Sequence, residues 1–120
     1  MLFKPEHVAP ILADTKTQTR RLWTRPMVKV GGLYWAQTKM YDSTSRFARL
    51  RVLRRWQEHL MDISEADARA EGYPSRPEYI AAFDRINKTK DPHADPLVWC
   101  VEFERVEVAP CRTPPASPQP

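Results

Sequence analysis

The sequence has only two cysteines, Cys100 and Cys111, among its 120 residues. Two thiols cannot form a disulfide framework, so we expect a partly buried strand thiol and a free thiol in a tail, both reduced as is normal in the cytosol. The three histidines, His7, His59 and His93, are isolated in sequence, and no Cys/His cluster has the spacing of a zinc site. The sequence therefore predicts neither a metal nor a cofactor.

Long apolar runs are also absent. The longest purely apolar stretches span only a few residues, which excludes a helix that crosses a bilayer, and residues 1–5 lack the apolar stretch of a secretory signal. We therefore expect a cytoplasmic protein with no membrane partner. No Ser/His/Asp set, phosphate-binding loop or dinucleotide fingerprint is present, so these common signatures assign no activity.

What is present is a globular composition with an excess of positive charge. Hydrophobic residues make up 42% of the chain, and the formal net charge is +4 with a pI near 9.3. Basic residues are concentrated in two segments of the first half, 16–29 and 46–55, whereas acidic residues are concentrated from 58 to 95. This distribution indicates either a basic face for a polyanionic partner or a face that is merely solvated.

Hydrophobic periodicity predicts an α+β domain with a curved or closed sheet. We expect strands at 2–3, 17–23, 33–40, 47–56 and 97–108, although the apolar spacing of 47–56 also suits a helix. We expect a first helix that ends near residue 13 and has Pro10 in its first turn. A second helix should cover 64–71 before Gly72, and a third should follow the capping box of residues 75–78. Residues 109–120 are rich in proline and almost uncharged, which predicts a disordered tail after a domain at 1–108.

The most informative segment runs from Lys16 to Arg21. Side chains on a strand alternate between faces, so residues 16, 18 and 20 would share one face and residues 17, 19 and 21 the other. A turn at the strand entry would still bring Lys16 and Thr19 together. From the residues alone, an edge strand with solvated charges is the simpler explanation.

Residues 11–21, which include Lys16-Thr17-Gln18-Thr19-Arg20-Arg21, resemble the opening signature of ASCH-domain proteins. That signature is a helix and a small turn, followed by Lys-Thr-x-Thr and basic residues. Segments 30–35, 63–83 and 99–104 resemble the next strand, the helical insert and the closing strand of the family, so the resemblance covers nearly the whole chain except the tail. One departure is visible, because Asp14 stands where the family usually has glycine.

The resemblance implies a PUA-like β-barrel with helices flanking a cleft, a fold that is similar to an RNA-binding domain. Some small bacterial relatives are amidohydrolases that remove the acetyl group from N(4)-acetylcytidine. The matching positions in this chain are Lys16 as the base, Thr19 as the nucleophile and Glu71 as the proton donor. The residues expected to bind RNA or the nucleoside are Arg20, Arg21, Arg46 and Tyr73.

Two physical conditions bear on these roles. Lys16 needs a pKa lowered by burial or by neighbouring arginines, whereas the preceding helix C-terminus favours its charged form. Glu71 is expected at a helix C-terminus, where the helix dipole disfavours an ionised carboxylate, as suits a proton donor. The alternative is a surface glutamate that pairs with Arg69 or Arg76.

The sequence leaves two functions open. One is a cleft that holds RNA or a modified nucleoside without altering it, and the other is a hydrolase that cleaves the amide of an acylated cytidine. The same fold can host both. The hydrolase requires Lys16, Thr19 and Glu71 to converge in one pocket.

Overall fold

The computed structural model describes residues 1–87 and 95–106 of the chain. Its helices and strands, in chain order, are α1 (Val8–Leu12), β1 (Gln18–Arg21), β2 (Leu33–Gln37), β3 (Arg46–His59), α2 (Glu65–Ala70), α3 (Arg76–Asn87) and β4 (Leu97–Val106). Short 3-10 turns cover Pro5–His7, Ser43–Ser45 and Leu60–Asp62. The predicted tail at 109–120, Cys111 and His93 lie outside the described residues. Within those residues, no helix is long and apolar enough to cross a membrane.

The four strands form one antiparallel sheet in the order β1-β4-β3-β2, which curls into a half-barrel. The last strand of the chain, β4, lies inside the sheet and pairs with β1 from Gln18 opposite Glu102 to Arg21 opposite Trp99. The expected opening strand is reduced to a single parallel bridge between Leu2 and Gln37. The α+β, PUA-like fold class is confirmed.

Strand β3 is longer than the sequence pattern predicts, and the alternative of a helix there is wrong. It runs from Arg46 to His59 because β4 pairs with it as far as the Leu97–His59 position. A bulge between Val52 and Arg54 interrupts the two-residue alternation, which leaves Leu53 exposed. The bulge explains why the apolar spacing of this strand also suited a helix.

The residues that predict helix ends in the sequence lie at the ends of helices in the structure. The Ser64 side chain accepts a hydrogen bond from the Asp67 backbone N–H at 3.0 Å and caps α2. Gly72 follows α2 with a φ of 98°, the left-handed conformation typical of a helix stop. Pro10 lies in the first turn of α1, as predicted. Asp14 has a φ of 61°, in the left-handed region that glycine adopts most readily.

The core is built on both faces of β4. One cluster joins Val98 and Cys100 to apolar residues of α2 and α3. On the opposite face of β4, Phe103 packs with Phe3 and Leu50 in a second cluster. Helices α2 and α3 therefore cover one side of the sheet, and a cleft opens where they meet β1 and the N-terminal segment.

Candidate functional site

A cavity of about 210 Å³ lies between β1, the end of α2, helix α3 and the N-terminal segment. Six of the seven candidate site residues line it: Lys16, Thr19, Arg20, Arg21, Glu71 and Tyr73. The seventh, Arg46, is exposed at the start of β3 and lies with its guanidinium carbon 5.2 Å from the centre of the Trp35 ring. The cavity therefore brings together the three residues that a hydrolase requires.

Lys16 is fixed by the turn between α1 and β1. Its backbone N–H donates to the Pro10 carbonyl at 3.1 Å, and the next N–H, of Thr17, donates to the Ala70 carbonyl at the end of α2 at 2.7 Å. The side chain is only 2% exposed. Its Nζ donates to three acceptors, the Gln18 carbonyl, the Glu71 carbonyl and Glu71 Oε1, each at 3.0 Å.

Burial decides the electrostatics of Lys16. Removal from water lowers the pKa of its ammonium, and the charges of Arg21 and Arg20 lower it further. The Glu71 carboxylate opposes this by charge and by hydrogen bonding, but the net pKa shift is downward.

Glu71 is the C-terminal cap of α2 and is 2% exposed, so the interpretation as a surface glutamate is wrong. Its Oε1 pairs with Lys16 Nζ at 3.0 Å and its Oε2 with Arg20 Nη1 at 2.9 Å. Arg76, one of the two partners expected for a surface position, instead donates to the carbonyls of Ile63 and Met61. Both oxygens of the carboxylate therefore contact cations of the β1 segment.

Arg20 links Glu71 to two further carboxylates at the edge of the cleft. Its Nη2 contacts Glu58 Oε1 at 2.5 Å and Asp67 Oδ2 at 3.5 Å. Its Nη1 also donates to Gln18 Oε1 at 2.9 Å, and Gln18 Nε2 in turn donates to Asp67 Oδ1 at 3.0 Å. The carboxylates hold the pKa of Arg20 above its usual range despite burial. The guanidinium thus serves a structural ion network and is not free for phosphate in this arrangement.

Thr19 and Arg21 lie on the other face of β1, as the alternation predicts. Arg21 Nε donates to Thr19 Oγ1 at 3.0 Å, which leaves the hydroxyl proton of Thr19 free to be given away. The guanidinium carbon of Arg21 lies 4.9 Å from the centre of the Phe3 ring. The Thr19 hydroxyl therefore accepts a hydrogen bond from a cation that packs against an aromatic ring.

Tyr73 closes one side of the cavity together with His7, a residue that the sequence analysis missed. The Tyr73 hydroxyl lies 3.0 Å from His7 Nε2 and 3.5 Å from Glu6 Oε2. Burial and the charge of Lys16 lower the pKa of His7 to about 4, and burial raises the pKa of Tyr73 to about 12. Both groups are therefore neutral near pH 7.

Aromatic residues of α3 form the remaining wall. Tyr79 and Phe83 are buried and line the cavity, with the Tyr73 and Tyr79 rings 5.7 Å apart. Tyr79 and Phe83 are four positions apart and therefore lie on one apolar face of α3. That apolar face is the sequence signal that could have identified them as wall residues. Nothing in the local sequence marked Glu58 or His7. In residues 1–87 and 95–106, no group of three His, Cys, Asp or Glu side chains is arranged to hold a metal ion.

The sequence matches no family model and no curated protein, but the structure is similar to several solved ones. It matches the ASCH domain from Lactobacillus crispatus JV V101 with a TM-score of 0.64 and 17% identity over 82% of this chain and 69% of that one. It matches a protein from Enterococcus faecalis V583 in the family DUF984 with a TM-score of 0.66 and 18% identity, over 91% and 75% of the two chains. A mutant ASCH protein from Zymomonas mobilis gives a TM-score of 0.62 and 13% identity, over 89% and 69%. At these identities the likeness concerns architecture, and the chain has the fold of ASCH domains.

Proposed function

We propose that the cavity binds a modified cytosine nucleoside and hydrolyses the amide of its N4-acyl group. The observation that carries this proposal is the contact of 3.0 Å between Lys16 Nζ and Glu71 Oε1, in a cavity whose wall also includes Thr19. A base, a hydroxyl and a carboxyl group in one partly enclosed site are the parts that a two-step acyl transfer needs. The ASCH fold agrees with this assignment, although a fold alone does not determine an activity.

The size and walls of the cavity suit one nucleobase. Its volume of about 210 Å³ is below the range of roughly 300–1,000 Å³ that is common for pockets of drug-sized ligands. Phe3, Tyr79 and Phe83 supply flat apolar walls, and the polar groups lie together at the β1 side. A single base inserted between these walls would present its exocyclic amide to the polar side.

The reaction begins with a proton transfer along the Lys16–Glu71 hydrogen bond. Three acceptors around Nζ fit the ammonium form at rest, and transfer of one proton to the carboxylate gives an amine and a carboxylic acid without changing the total charge. Burial lowers the pKa of the Lys16 ammonium, which favours this step. Substrate binding in the cavity, which excludes water from the pair, favours it further.

Acylation then uses both members of the pair. The Lys16 amine takes the hydroxyl proton of Thr19 as Oγ1 attacks the acyl carbonyl carbon, and the Glu71 acid gives its proton to N4 of the leaving cytosine. The acyl group is now an ester on Thr19, and the pair is again ammonium and carboxylate. Arg21 Nε, 3.0 Å from Thr19 Oγ1, stabilises negative charge that develops on that oxygen.

Deacylation reverses the direction of the protons. The Glu71 carboxylate takes one proton from a water molecule as the water oxygen attacks the ester carbon. Lys16 returns its proton to Thr19 Oγ1, and the acyl group leaves as a carboxylic acid. Transfer of the proton from Glu71 back to Lys16 restores the resting pair, so the cycle is balanced.

Binding without chemistry is the second candidate, and one observation favours it. Both oxygens of Glu71 already accept hydrogen bonds from cations, with Arg20 at 2.9 Å on the oxygen that Lys16 does not contact. The reaction needs Glu71 as a proton donor, and a donor oxygen would have to give up one of these bonds. If both bonds persist, the same cavity holds the modified nucleoside and leaves its amide intact.

Turnover of N4-acetylcytidine to cytidine, followed by liquid chromatography, distinguishes the two candidates. We expect the wild-type protein to release cytidine, and Lys16→Met to lower kcat by at least about 100-fold, since a general base contributes a factor of about 10² to 10⁴. Thr19→Ala should abolish turnover, whereas Thr19→Ser, which keeps a hydroxyl, should retain part of it. Lys29→Met removes an exposed lysine outside the cavity and serves as the control.

The proposal fails if the folded wild-type protein binds N4-acetylcytidine and releases no cytidine, a result that leaves the binding function. Activity in Thr19→Ala equal to that of the wild type would also contradict the assignment of the nucleophile. Circular dichroism of each variant excludes loss of fold as the cause of lost activity.

A further inference from the structure

Arg21 is a cavity-lining cation to which no acidic side chain is bound. Over residues 1–87 and 95–106, the ion pairs within 4.0 Å involve Lys16, Arg20 and several surface arginines, but not Arg21. Its only hydrogen bond within the described residues goes from Nε to Thr19 Oγ1. The Nη1 and Nη2 edge of the guanidinium therefore has no protein acceptor in that part of the chain.

The alternation of β1 keeps Arg21 out of the ion-pair network around Arg20. Arg20 faces the network that contains Glu71, Glu58 and Asp67, whereas Arg21 faces the opposite side of the strand. The charge of Glu71 favours the charged form of Arg21, but no ion pair joins the two side chains, and the remaining charged groups at this end of the cavity are positive. Lys4 lines the same cavity, and the charges of Arg21 and Arg46 both lower the pKa of the N-terminal ammonium of Met1. This end of the cavity is therefore electropositive.

Arg21 is half-buried and has no ion-pair partner within the described residues, so the edge of its guanidinium is available to a ligand. Burial lowers the pKa of Arg21 although the charge of Glu71 opposes this, so a bound anion would stabilise the guanidinium. The Phe3 ring, 4.9 Å from the guanidinium carbon, holds the planar group in place by a cation–π contact. A guanidinium held in this way offers two parallel N–H donors, the geometry that matches two oxygens of a phosphate.

We infer that the Nη1 and Nη2 edge of Arg21 binds a phosphate group at the electropositive end of the cavity, so that the preferred ligand is a cytidine nucleotide and not the free nucleoside. The inference rests on the proposed function, because it extends the same cavity from the base to its phosphate. The base then lies against Tyr79 and Phe83, and the phosphate lies on the side of Arg21 and Lys4. The phosphate belongs either to a mononucleotide or to an RNA chain.

Titration calorimetry at low salt with cytidine and with cytidine 5′-monophosphate tests this inference without any need for turnover. We expect the wild-type protein to bind the monophosphate about 10- to 100-fold more tightly, as one to two charge-assisted hydrogen bonds imply. Arg21→Gln should reduce this ratio to about one, and Arg21→Lys, which keeps the charge but loses the paired donors, should give an intermediate ratio. The preference should also weaken as the salt concentration rises.

Arg54→Gln is the matched control. It removes the same charge from an exposed arginine that pairs with Glu102 at 2.6 Å and does not line the cavity. The affinity for cytidine 5′-monophosphate relative to cytidine should therefore equal that of the wild type. Cytidine 3′-monophosphate and the dinucleotide CpA distinguish the sources of the phosphate. Tightest binding of CpA indicates an RNA chain, and tightest binding of a monophosphate indicates a free nucleotide.

Equal affinities for cytidine and its monophosphate in the wild-type protein would overturn the inference, as would a phosphate preference that persists in Arg21→Gln. Hydrolysis of N4-acetylcytidine together with no phosphate preference overturns this inference alone. A phosphate preference without amide hydrolysis supports the inference and contradicts the proposed reaction. Failure of both ligands to bind, together with no release of cytidine from N4-acetylcytidine, overturns both.

Discussion

At the residue scale, the site is organised by buried charges that face one another. Lys16 and Glu71 are each 2% exposed, and the carboxylate also pairs with Arg20. Removing one member of such a cluster typically costs about 3–5 kcal/mol because the remaining charge is left buried without a partner. Because this free-energy cost is large, the cluster fixes the positions of its side chains, as a site for proton transfer requires.

His7 allows a prediction about pH at the same scale. Its pKa is about 4 in the folded protein, below the value near 6.5 expected in the unfolded chain, so between these values the unfolded chain binds one more proton. The free energy of unfolding should therefore fall as pH decreases from about 6.5 to about 4, by roughly 2–3 kcal/mol from this group. Urea denaturation at several pH values measures the effect.

The control for this prediction is His7→Phe, which keeps an aromatic ring beside Phe3 and Tyr73 but cannot titrate. We expect a flatter dependence of stability on pH between 4 and 6.5 in this variant. Glu6, which contacts Arg85, titrates in both proteins, so the difference between them isolates His7. An identical pH dependence in the two proteins would show that His7 is not held neutral by the fold.

At the element scale, the turn between α1 and β1 determines where Lys16 lies. Asp14 occupies it with a φ of 61° and pairs with Arg105 of β4 at 3.1 Å. The resemblance to ASCH domains implies a glycine at this position, and aspartate tolerates the left-handed region better than most residues. The pairing with Arg105 was not predictable from the sequence, because it depends on β4 lying next to β1.

Substitutions at Asp14 test how this turn is stabilised. Asp14→Gly relieves backbone strain but loses an exposed ion pair and gains freedom in the unfolded chain, so we expect unfolding free energy within about 0.5 kcal/mol of the wild type. Asp14→Ala keeps the strain and loses the pair, and should be less stable by about 1 kcal/mol. Urea denaturation compares them. An alanine variant as stable as the glycine variant would mean that the backbone conformation costs nothing.

The elements themselves were largely predictable, for identifiable reasons. Gly72, Ser64 and the capping box act locally, so the ends of α2 and the start of α3 could be read from neighbouring residues. The alternation of β1 correctly separated Arg20 from Arg21. The partners of Arg20 could not be predicted, since Glu58 and Asp67 are 38 and 47 residues away and meet it only through the sheet order.

At the scale of the whole molecule, the order of the strands creates the site. The last strand, β4, lies between β1 and β3, and this arrangement brings the β1 segment against α2 and α3. Periodicity predicts the strands but not their order, because it contains no information about which strands pair. The resemblance to ASCH domains implied a cleft beside the helices that holds Lys16, Thr19 and Glu71, and all three line the cavity.

The predicted division of the chain into a domain at 1–108 and a tail at 109–120 can be tested by truncation. The tail is rich in proline and almost uncharged, so its composition supplies little surface for a core. We expect a chain that ends at Val108 to have an unfolding free energy within about 0.5 kcal/mol of the full chain in urea denaturation, the usual effect of changes that remove no buried contact. It should also keep its affinity for cytidine.

A chain that ends at Phe103 is the matched comparison. It loses residues 104–106 of β4, which pair with Arg51, Leu50 and Arg49 of β3, and with them the pair between Arg105 and Asp14. Since these residues form part of the central strand pairing, their loss should destabilise the half-barrel by more than about 2 kcal/mol, as expected when several ladder hydrogen bonds are lost. If the chain ending at Val108 were destabilised to a similar degree, residues 109–120 would belong to the folded domain.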